Sequence, residues 1–262
     1  MKKIHVLSII AAIIFASSCS KDSGYGGVGG DHNTDYSSGK GGSMARFCVA
    51  GDYLFTVDHS TLKSFDISTP ETPKFLSGRT QMLGFGIETI FPVDTLLFIG
   101  SQDGMLIFHV SNNGMMQHLS TTSHIRSCDP VVAQGNYAYL TLNSNNIQCG
   151  RTSNILQIYD ITDLKSPVHI RDIQGFSSPR GLGIDGDRLF VCDNGLKIYD
   201  ISDRISPVLK EDLYSAHIYD VTEPYDVIPL NGLLILVASS GIYQLDYSGE
   251  SLKLLSTITV NR

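Results

Sequence analysis

The 262-residue sequence predicts an all-β fold, a five-bladed β-propeller of four-stranded antiparallel blades. The first observation is a short phrase that recurs five times: apolar residue, acidic or polar residue, apolar residue, hydroxyl. The second is its spacing of about 40 to 51 residues, which is typical of propeller blades. The third is the lack of helical periodicity outside the N-terminal segment. The five copies are centred on Asp66, His109, Asp160, Asp200 and Asp246.

Each copy has the same neighbours along the chain. An apolar strand precedes it, and that strand opens on a turn signal: Gly51-Asp52, Asp94-Thr95, Gly135-Asn136, Gly186-Asp187 or Asn231-Gly232. A further strand follows, predicted at 73–77, 117–121, 167–173, 207–213 and 252–260. Every repeat therefore supplies strands A to D, as at 130–134, 137–142, 154–161 and 168–173 in the third. A regular β-sandwich is the alternative, but it does not explain why the order of segments repeats.

The first 43 residues have the features of an export signal followed by a membrane attachment site. Two lysines precede an apolar run at 4–15, which is shorter than the roughly 20 residues a membrane-spanning helix needs. Small residues then lead into Cys19, an arrangement that resembles the bacterial lipobox in its relaxed Bacteroidetes form, with Ala16 where leucine is usual. We therefore predict a signal peptide at 1–18, a lipidated Cys19 opening a flexible tether at 19–43, and a propeller at 44–262. An ordinary cleaved signal with an unmodified Cys19 is the alternative.

Charge and hydropathy narrow the range of partners. The net charge is −7 and there is no run of Lys or Arg, which argues against nucleic acid as a partner. No second apolar run of about 18 residues occurs, so attachment to a membrane depends on Cys19. Lys21-Asp22 resembles short signals that direct lipoproteins to the outer face of the outer membrane. We therefore expect an outer-membrane, lipid-anchored protein that is exposed at the cell surface.

Three of the five copies resemble LVIVD repeats, which are propeller blades of bacterial surface and secreted proteins. The matching segments are LKSFDIS at 62–68, LQIYDIT at 156–162 and LKIYDIS at 196–202. The second copy departs from the pattern with His109 in place of Asp, and the second and fifth lack the following proline. The resemblance implies a propeller over about 44–260 and implies no reaction.

The blade alignment predicts a ring of polar residues where the central channel opens. Counting back from each A-to-B turn places Ala45, Glu88, Asp129, Arg180 and Tyr225 at one level, with Arg46 and Asp226 one step along. Convergent polar groups are a typical binding site. We predict the ligand-binding set Arg46, Glu88, Asp129, Arg180, Tyr225 and Asp226. The alternative is that strand ends near solvent are polar in any propeller.

Other candidate residues have local explanations. The repeated Asp of each phrase is expected to accept backbone N–H groups in the C-to-D turn rather than act in catalysis. Asp58, His59, Asp103 and Asp193 could gather a divalent cation, but turn residues of this kind need none. Cys128 and Cys149 share one face of the third blade and are a possible disulfide. Cys48 and Cys192 are predicted to be buried free thiols.

No catalytic motif is present, so we expect no catalytic residue and no cofactor. The prediction is a non-catalytic envelope lipoprotein whose propeller face binds a protein or a glycan. The alternative is a glycan-active hydrolase or lyase that uses Glu88 and Asp129 as paired carboxylates, with Arg180 neutralising the substrate. Ring closure also stays open, because no strand from one end of the chain completes the blade at the other end. Both an open ring and a dimer fit the sequence.

Overall fold

Five antiparallel sheets follow one another along the chain and form a five-bladed β-propeller, as predicted. The computed structural model describes residues 41–123, 130–144, 154–214, 221, 223–249 and 251–260. In each blade the strands run in the order A to D from the channel outward, and neighbouring strands are antiparallel. The described residues form strands and turns, with one short 3-10 helix.

The strand bounds follow the repeat closely. Blade 1 holds β1 (Phe47–Ala50), β2 (Tyr53–Val57), β3 (Thr61–Asp66), β4 (Lys74–Phe75) and β5 (Gln81–Met82). Blade 2 holds β6 (Ile87–Val93), β7 (Leu96–Ser101), β8 (Gly104–Val110) and β9 (Met116–Ser123). Blade 3 holds β10 (Val131–Gln134), β11 (Tyr137–Leu142), β12 (Ile155–Asp160) and β13 (Val168–Ile173). Blade 4 holds β14 (Leu182–Asp185), β15 (Arg188–Cys192), β16 (Gly195–Asp200) and β17 (Val208–Tyr214). Blade 5 holds β18 (Pro224–Leu230), β19 (Leu233–Ala238), β20 (Gly241–Asp246) and β21 (Lys253–Thr259).

The outermost strand of blade 1 differs from the prediction. Instead of one strand at 73–77, two short strands, β4 and β5, pair with β3. A 3-10 helix at Ser77–Arg79 separates them, and the Arg79 guanidinium donates a hydrogen bond to the carbonyl of Asn113 in the next blade. The strand is therefore broken where the chain bends to reach blade 2.

The repeated Asp residues hold the C-to-D turns, as predicted. Asp66, Asp160, Asp200 and Asp246 each accept a hydrogen bond from the backbone N–H two residues ahead, at 2.8 to 2.9 Å. These hydrogen bonds favour the ionised carboxylate and lower the pKa of all four groups. Blade 2 has His109 at this position, and there Asn113 accepts the N–H of Met115 instead. The recurring carboxylates are thus turn residues.

Four hydrophobic clusters hold successive blades together. One joins blades 1 and 2, and the others join blades 2 and 3, 3 and 4, and 4 and 5. In blades 3 and 4 the inner strands are buried on both faces, and in β11 five of the six residues from Tyr137 to Leu142 are buried. Within the described ranges, none of the four clusters joins blade 5 to blade 1.

One further prediction concerns two of the cysteines. Cys48 and Cys192 are buried free thiols, as expected, and burial raises the pKa of Cys48 to about 12. Among the described residues, no helix is long and apolar enough to cross a membrane.

Candidate functional site

The candidate site lies on the face of the propeller where the B-to-C and D-to-A loops emerge, here called the channel-mouth face. The two kinds of loop are joined by backbone hydrogen bonds. In blade 1, Leu83 N–H donates to Ser60 O at 2.8 Å, and Ile87 N–H donates to His59 O at 3.1 Å. In blade 2, Gln102 N–H donates to Gly86 O at 2.9 Å. The loops therefore form one connected surface next to the channel.

The structure brings Arg180 and Tyr225 of the predicted polar ring together. The Arg180 guanidinium carbon lies 4.8 Å from the centre of the Tyr225 ring, which is a cation–π contact. The backbones also meet, since Gly181 N–H donates to Tyr225 O at 2.9 Å. These contacts place a cation and an aromatic ring at the junction of blades 4 and 5.

Glu88 and Arg46 make other contacts. Glu88 accepts a hydrogen bond from the Gln102 side-chain amide at 3.1 Å, so it contacts its own blade. Arg46 is exposed, and its carbonyl accepts the N–H of Val57 at 2.8 Å. Among the ring residues that the structure describes, Arg180 and Tyr225 are the pair joined by a cation–π contact.

Asp226 has a different environment from the rest of the set. Its Oδ1 accepts a hydrogen bond from Ser43 Oγ at 3.0 Å, and its Oδ2 accepts one from Met44 N–H at 3.1 Å. Ser43 Oγ in turn accepts a hydrogen bond from Leu182 N–H of blade 4 at 2.8 Å. An external ligand would have to displace this N-terminal segment before it could reach the carboxylate.

The carboxyl group of Asp226 is desolvated, which raises its pKa to about 6 although the hydrogen bonds from Met44, Val227 and Ser43 act in the opposite direction. The close approach depends on glycine. A Cβ at Gly42 or at Gly181 would collide with the Asp226 carboxylate. Sequence analysis assigned Gly42 and Ser43 to the tether, whereas both are buried in the structure. Their small size and the Gly-Ser composition gave no signal of burial.

The channel-mouth face also carries exposed apolar side chains that sequence analysis missed. Phe85 is 81% exposed and Met82 is 76% exposed. The Phe85 ring lies 6.3 Å from the ring of His59, centre to centre. Gly84 and Gly86 flank Phe85 with φ of 100° and 74°, values that favour glycine. The Gly-Phe-Gly sequence in a D-to-A loop was the available signal.

Two carboxylates of the candidate cation set already have partners in the structure. Asp58 accepts hydrogen bonds from Ser60 N–H and Thr61 N–H and pairs with Lys63 Nζ at 2.7 Å. Asp193 accepts the N–H of Ser177 at 3.0 Å. Within the described residues, no group of three or more His, Cys, Asp or Glu side chains is placed to hold a metal ion.

Several predicted residues lie outside the described residues. They are Cys19, Cys128, Asp129 and Cys149. Lipidation, the disulfide and the distance between the Glu88 and Asp129 carboxylates therefore stay predictions.

Fold and repeat together define a β-propeller scaffold. The LVIVD repeat model matches residues 180–214, which are blade 4 and the residues just before it. This match confirms the resemblance in that blade. No curated protein matches the chain.

Solved structures share the architecture at low sequence identity. A functionally unknown protein from Desulfotomaculum acetoxidans is 11% identical with a TM-score of 0.62, over 79% of this chain and 66% of that one. A protein from Lactobacillus plantarum is 15% identical with a TM-score of 0.60, over 80% of this chain and 69% of that one. AztD from Citrobacter koseri is 15% identical with a TM-score of 0.57, over 78% and 58%. The chain thus spans less than two thirds of the AztD and Desulfotomaculum chains, and the likeness shows the fold alone.

Proposed function

We propose that this chain is a non-catalytic cell-envelope lipoprotein, anchored through Cys19, whose channel-mouth face binds a protein partner at the bacterial surface. The observation that carries the binding role is the pair of exposed apolar side chains, Phe85 and Met82, on that face. Large apolar side chains clustered on a surface are typical of interaction sites. Aromatic residues and Met are enriched at protein interfaces.

The loop that presents Phe85 is fixed at both ends. Leu83 N–H and Ile87 N–H bond to the B-to-C turn of blade 1, and the carbonyl of Gly86 accepts Gln102 N–H of blade 2. A fixed backbone lowers the entropy lost when the ring is buried by a partner. Phe85 is therefore suited to act as a rigid aromatic anchor, which is the type of residue that dominates binding energy.

The polar part of the same face complements this anchor. Arg46 is exposed, and the Arg180 guanidinium is held against Tyr225 at 4.8 Å. Arg and Tyr are enriched among interface residues that contribute most to binding. A face that combines Phe, Met, Arg and Tyr favours a protein over a glycan. The chain also has no Trp, the residue best suited to stack on sugar rings.

Replacing Phe85 tests the proposal. The purified Phe85→Ser chain should recover about 10-fold less of its partner from envelope extracts than the unaltered chain does. The reason is that removing an aromatic anchor costs about 1.4 kcal/mol of binding free energy or more, and 1.4 kcal/mol is a factor of ten in affinity. The measurement is quantitative mass spectrometry of proteins captured from cross-linked envelope extracts. Arg180→Ala is measured in parallel and should lower the recovery of the same partner protein.

The control is Val208→Ser, which also removes an exposed apolar side chain, at 55% exposure, but on the outer strand β17 of blade 4. It should recover the same proteins as the unaltered chain. Equal recovery by all three variants would remove the channel-mouth face from consideration. Binding on a glycan array that Phe85→Ser abolishes, with no protein captured, would replace the protein partner with a glycan.

A further inference from the structure

A cavity of about 440 Å³ lies between blades 4 and 5, and we call it the junction cavity. Turn residues line it: Asp187 and Ser202 of blade 4, and Gly249 and Ser251 of blade 5. These are A-to-B and C-to-D turns, so the junction cavity opens on the face opposite the channel-mouth face. Glu250 lies outside the described residues. The volume is in the range of about 300 to 1,000 Å³ that is typical of sites for small molecules.

Two rows of side chains on the sheet of blade 4 face the junction cavity. Side chains that lie opposite one another on antiparallel strands point to the same face. The register gives one row with Arg188 and Asp200, and a second row with Phe190, Ile198 and Glu211. Phe190 belongs to the buried cluster shared with blade 5, so both rows face that blade. The cavity therefore has an apolar wall with charged groups beside it.

The junction between blades 3 and 4 shows how the equivalent space is closed elsewhere in the propeller. The Tyr139 hydroxyl of blade 3 donates a hydrogen bond to Arg204 O at 2.9 Å. The Arg171 guanidinium, also of blade 3, donates one to Ile205 O at 3.3 Å. Both carbonyl groups belong to the C-to-D turn of blade 4. Side-chain donors from one blade thus hold the turn of the next blade in place.

Blade 4 has no donors at these two positions. In the register, Phe190 takes the place of Tyr139, and Glu211 takes the place of Arg171. A phenyl ring cannot donate a hydrogen bond, and an ionised carboxylate only accepts them. The junction cavity therefore lies where the repeat replaces two donors with an apolar ring and an acid.

Three of the five charged residues that line the junction cavity already have partners of opposite charge. Asp187 pairs with the Arg204 guanidinium at 2.9 Å. Asp200 pairs with Lys210 Nζ at 3.3 Å. These pairs neutralise Asp187, Asp200 and Lys210 without a ligand.

The other two charged residues, Glu211 and Arg188, make no ion pair with any described residue. Glu211 is half-buried. The Arg188 guanidinium lies 5.5 Å from the centre of the Tyr247 ring and donates a hydrogen bond to the Tyr247 carbonyl. A guanidinium has five N–H groups, so this bond leaves Arg188 able to bind a carboxylate as well. The cavity thus offers one negative and one positive group to a ligand.

Glu211 and Arg188 are placed diagonally across the sheet, two strands and two residues apart. Their Cα atoms are therefore about 12 Å apart, since neighbouring strands lie about 4.8 Å from one another and each residue advances about 3.4 Å. The apolar wall of Phe190 and Ile198 belongs to the same two rows. A ligand with a single charge would leave one of the two groups unpaired, which is costly at a partly buried site.

We propose that the junction cavity binds a small zwitterion with an apolar body, a molecule of the free amino acid class. Its ammonium group pairs with Glu211, its carboxylate pairs with Arg188, and its apolar part packs on Phe190 and Ile198. Phe85 lies on the opposite face of the propeller, so this proposal and the proposed function can fail separately.

Three ligands with the same apolar body test the proposal: phenylalanine, phenethylamine, which lacks the carboxylate, and phenylpropanoate, which lacks the ammonium group. Their affinities for the full chain are measured by ligand-observed NMR titration. Phenylalanine should bind about tenfold more tightly than either singly charged analogue, because each analogue forms one charge-assisted contact fewer.

Substitutions assign the two contacts. Glu211→Gln should weaken phenylalanine and phenethylamine by about tenfold and leave phenylpropanoate unchanged. Arg188→Gln should weaken phenylalanine and phenylpropanoate and leave phenethylamine unchanged, whereas Arg188→Lys should retain most of the affinity for both carboxylates. The control is Glu71→Gln, which removes an exposed carboxylate from the C-to-D turn of blade 1 and should change none of the three affinities.

Circular dichroism should show the same fold in all four variants. The proposal is overturned if none of the three ligands binds, or if phenylalanine binds no more tightly than its analogues. It is also overturned if Glu211→Gln affects binding no more than Glu71→Gln does, or if Arg188→Lys loses as much affinity as Arg188→Gln.

Discussion

Phe190→Ala is expected to lower the free energy of unfolding by about 3 to 5 kcal/mol, the usual cost of removing a fully buried phenylalanine side chain. Phe190 is completely buried in the cluster between blades 4 and 5. Its ring meets the Tyr247 ring edge-on, with centres 5.0 Å apart. The substitution leaves a cavity at a blade-to-blade contact, so it should affect the whole propeller rather than one hairpin.

The measurement is urea unfolding followed by circular dichroism, with the slope m checked for constancy. Leu209→Ala is the control, because Leu209 lies on the outer strand of the same blade and is 44% exposed. Surface substitutions of this kind usually change stability by no more than about 0.5 kcal/mol. Similar losses in the two variants would contradict the assignment of this cluster as the core between the blades.

The second large effect is a loss of stability as the pH rises from about 4 to about 6, and this loss depends on Asp226. Desolvation raises the pKa of Asp226 to about 6 in the folded state, above its ordinary value of 3.8. The folded state therefore binds the proton more tightly than the unfolded state. Stability from this group is full below about pH 4 and falls as the pH rises through 6, by up to about 3 kcal/mol in total.

Asp226→Asn should flatten this part of the curve, because the amide does not ionise and has the shape of the protonated acid. Denaturant unfolding at pH 4, 5, 6 and 7 makes the comparison. Asp160→Asn is the control: Asp160 has a lowered pKa, since the hydroxyl and the backbone N–H of Thr162 bond to its carboxylate. Its stabilising effect is present above about pH 4 and is lost as the pH falls. Identical slopes between pH 4 and pH 6 in the unaltered protein and Asp226→Asn would contradict the account.

The sequence was sufficient for the architecture because the information is local and repeated. Turn dipeptides such as Gly135-Asn136 and the alternation of apolar residues recur in register in every blade, and the Asp-hydroxyl turn recurs in all but the second, which has His109. The broken outer strand of blade 1 was not predicted, since it depends on a contact from Arg79 to a different blade. Contacts between blades leave no local pattern.

The candidate site was predictable only in part. Aligning the repeats placed Arg180 and Tyr225 at one level, and the two residues are in contact. The same alignment could not show that Asp226 binds Ser43, because that contact joins residues 183 positions apart. Phe85 was overlooked because it lies in a D-to-A loop outside the repeated phrase, and a single exposed aromatic residue has no periodic signal.

The most direct test of the central claim, that the channel-mouth face binds a protein, is site-specific photo-cross-linking in intact cells. A photoreactive amino acid is placed at position 85 in one strain and at position 208 in another. The account predicts that position 85 forms a discrete cross-linked product with another protein and that position 208 does not. Absence of a product at position 85, or the same product at both positions, would contradict it.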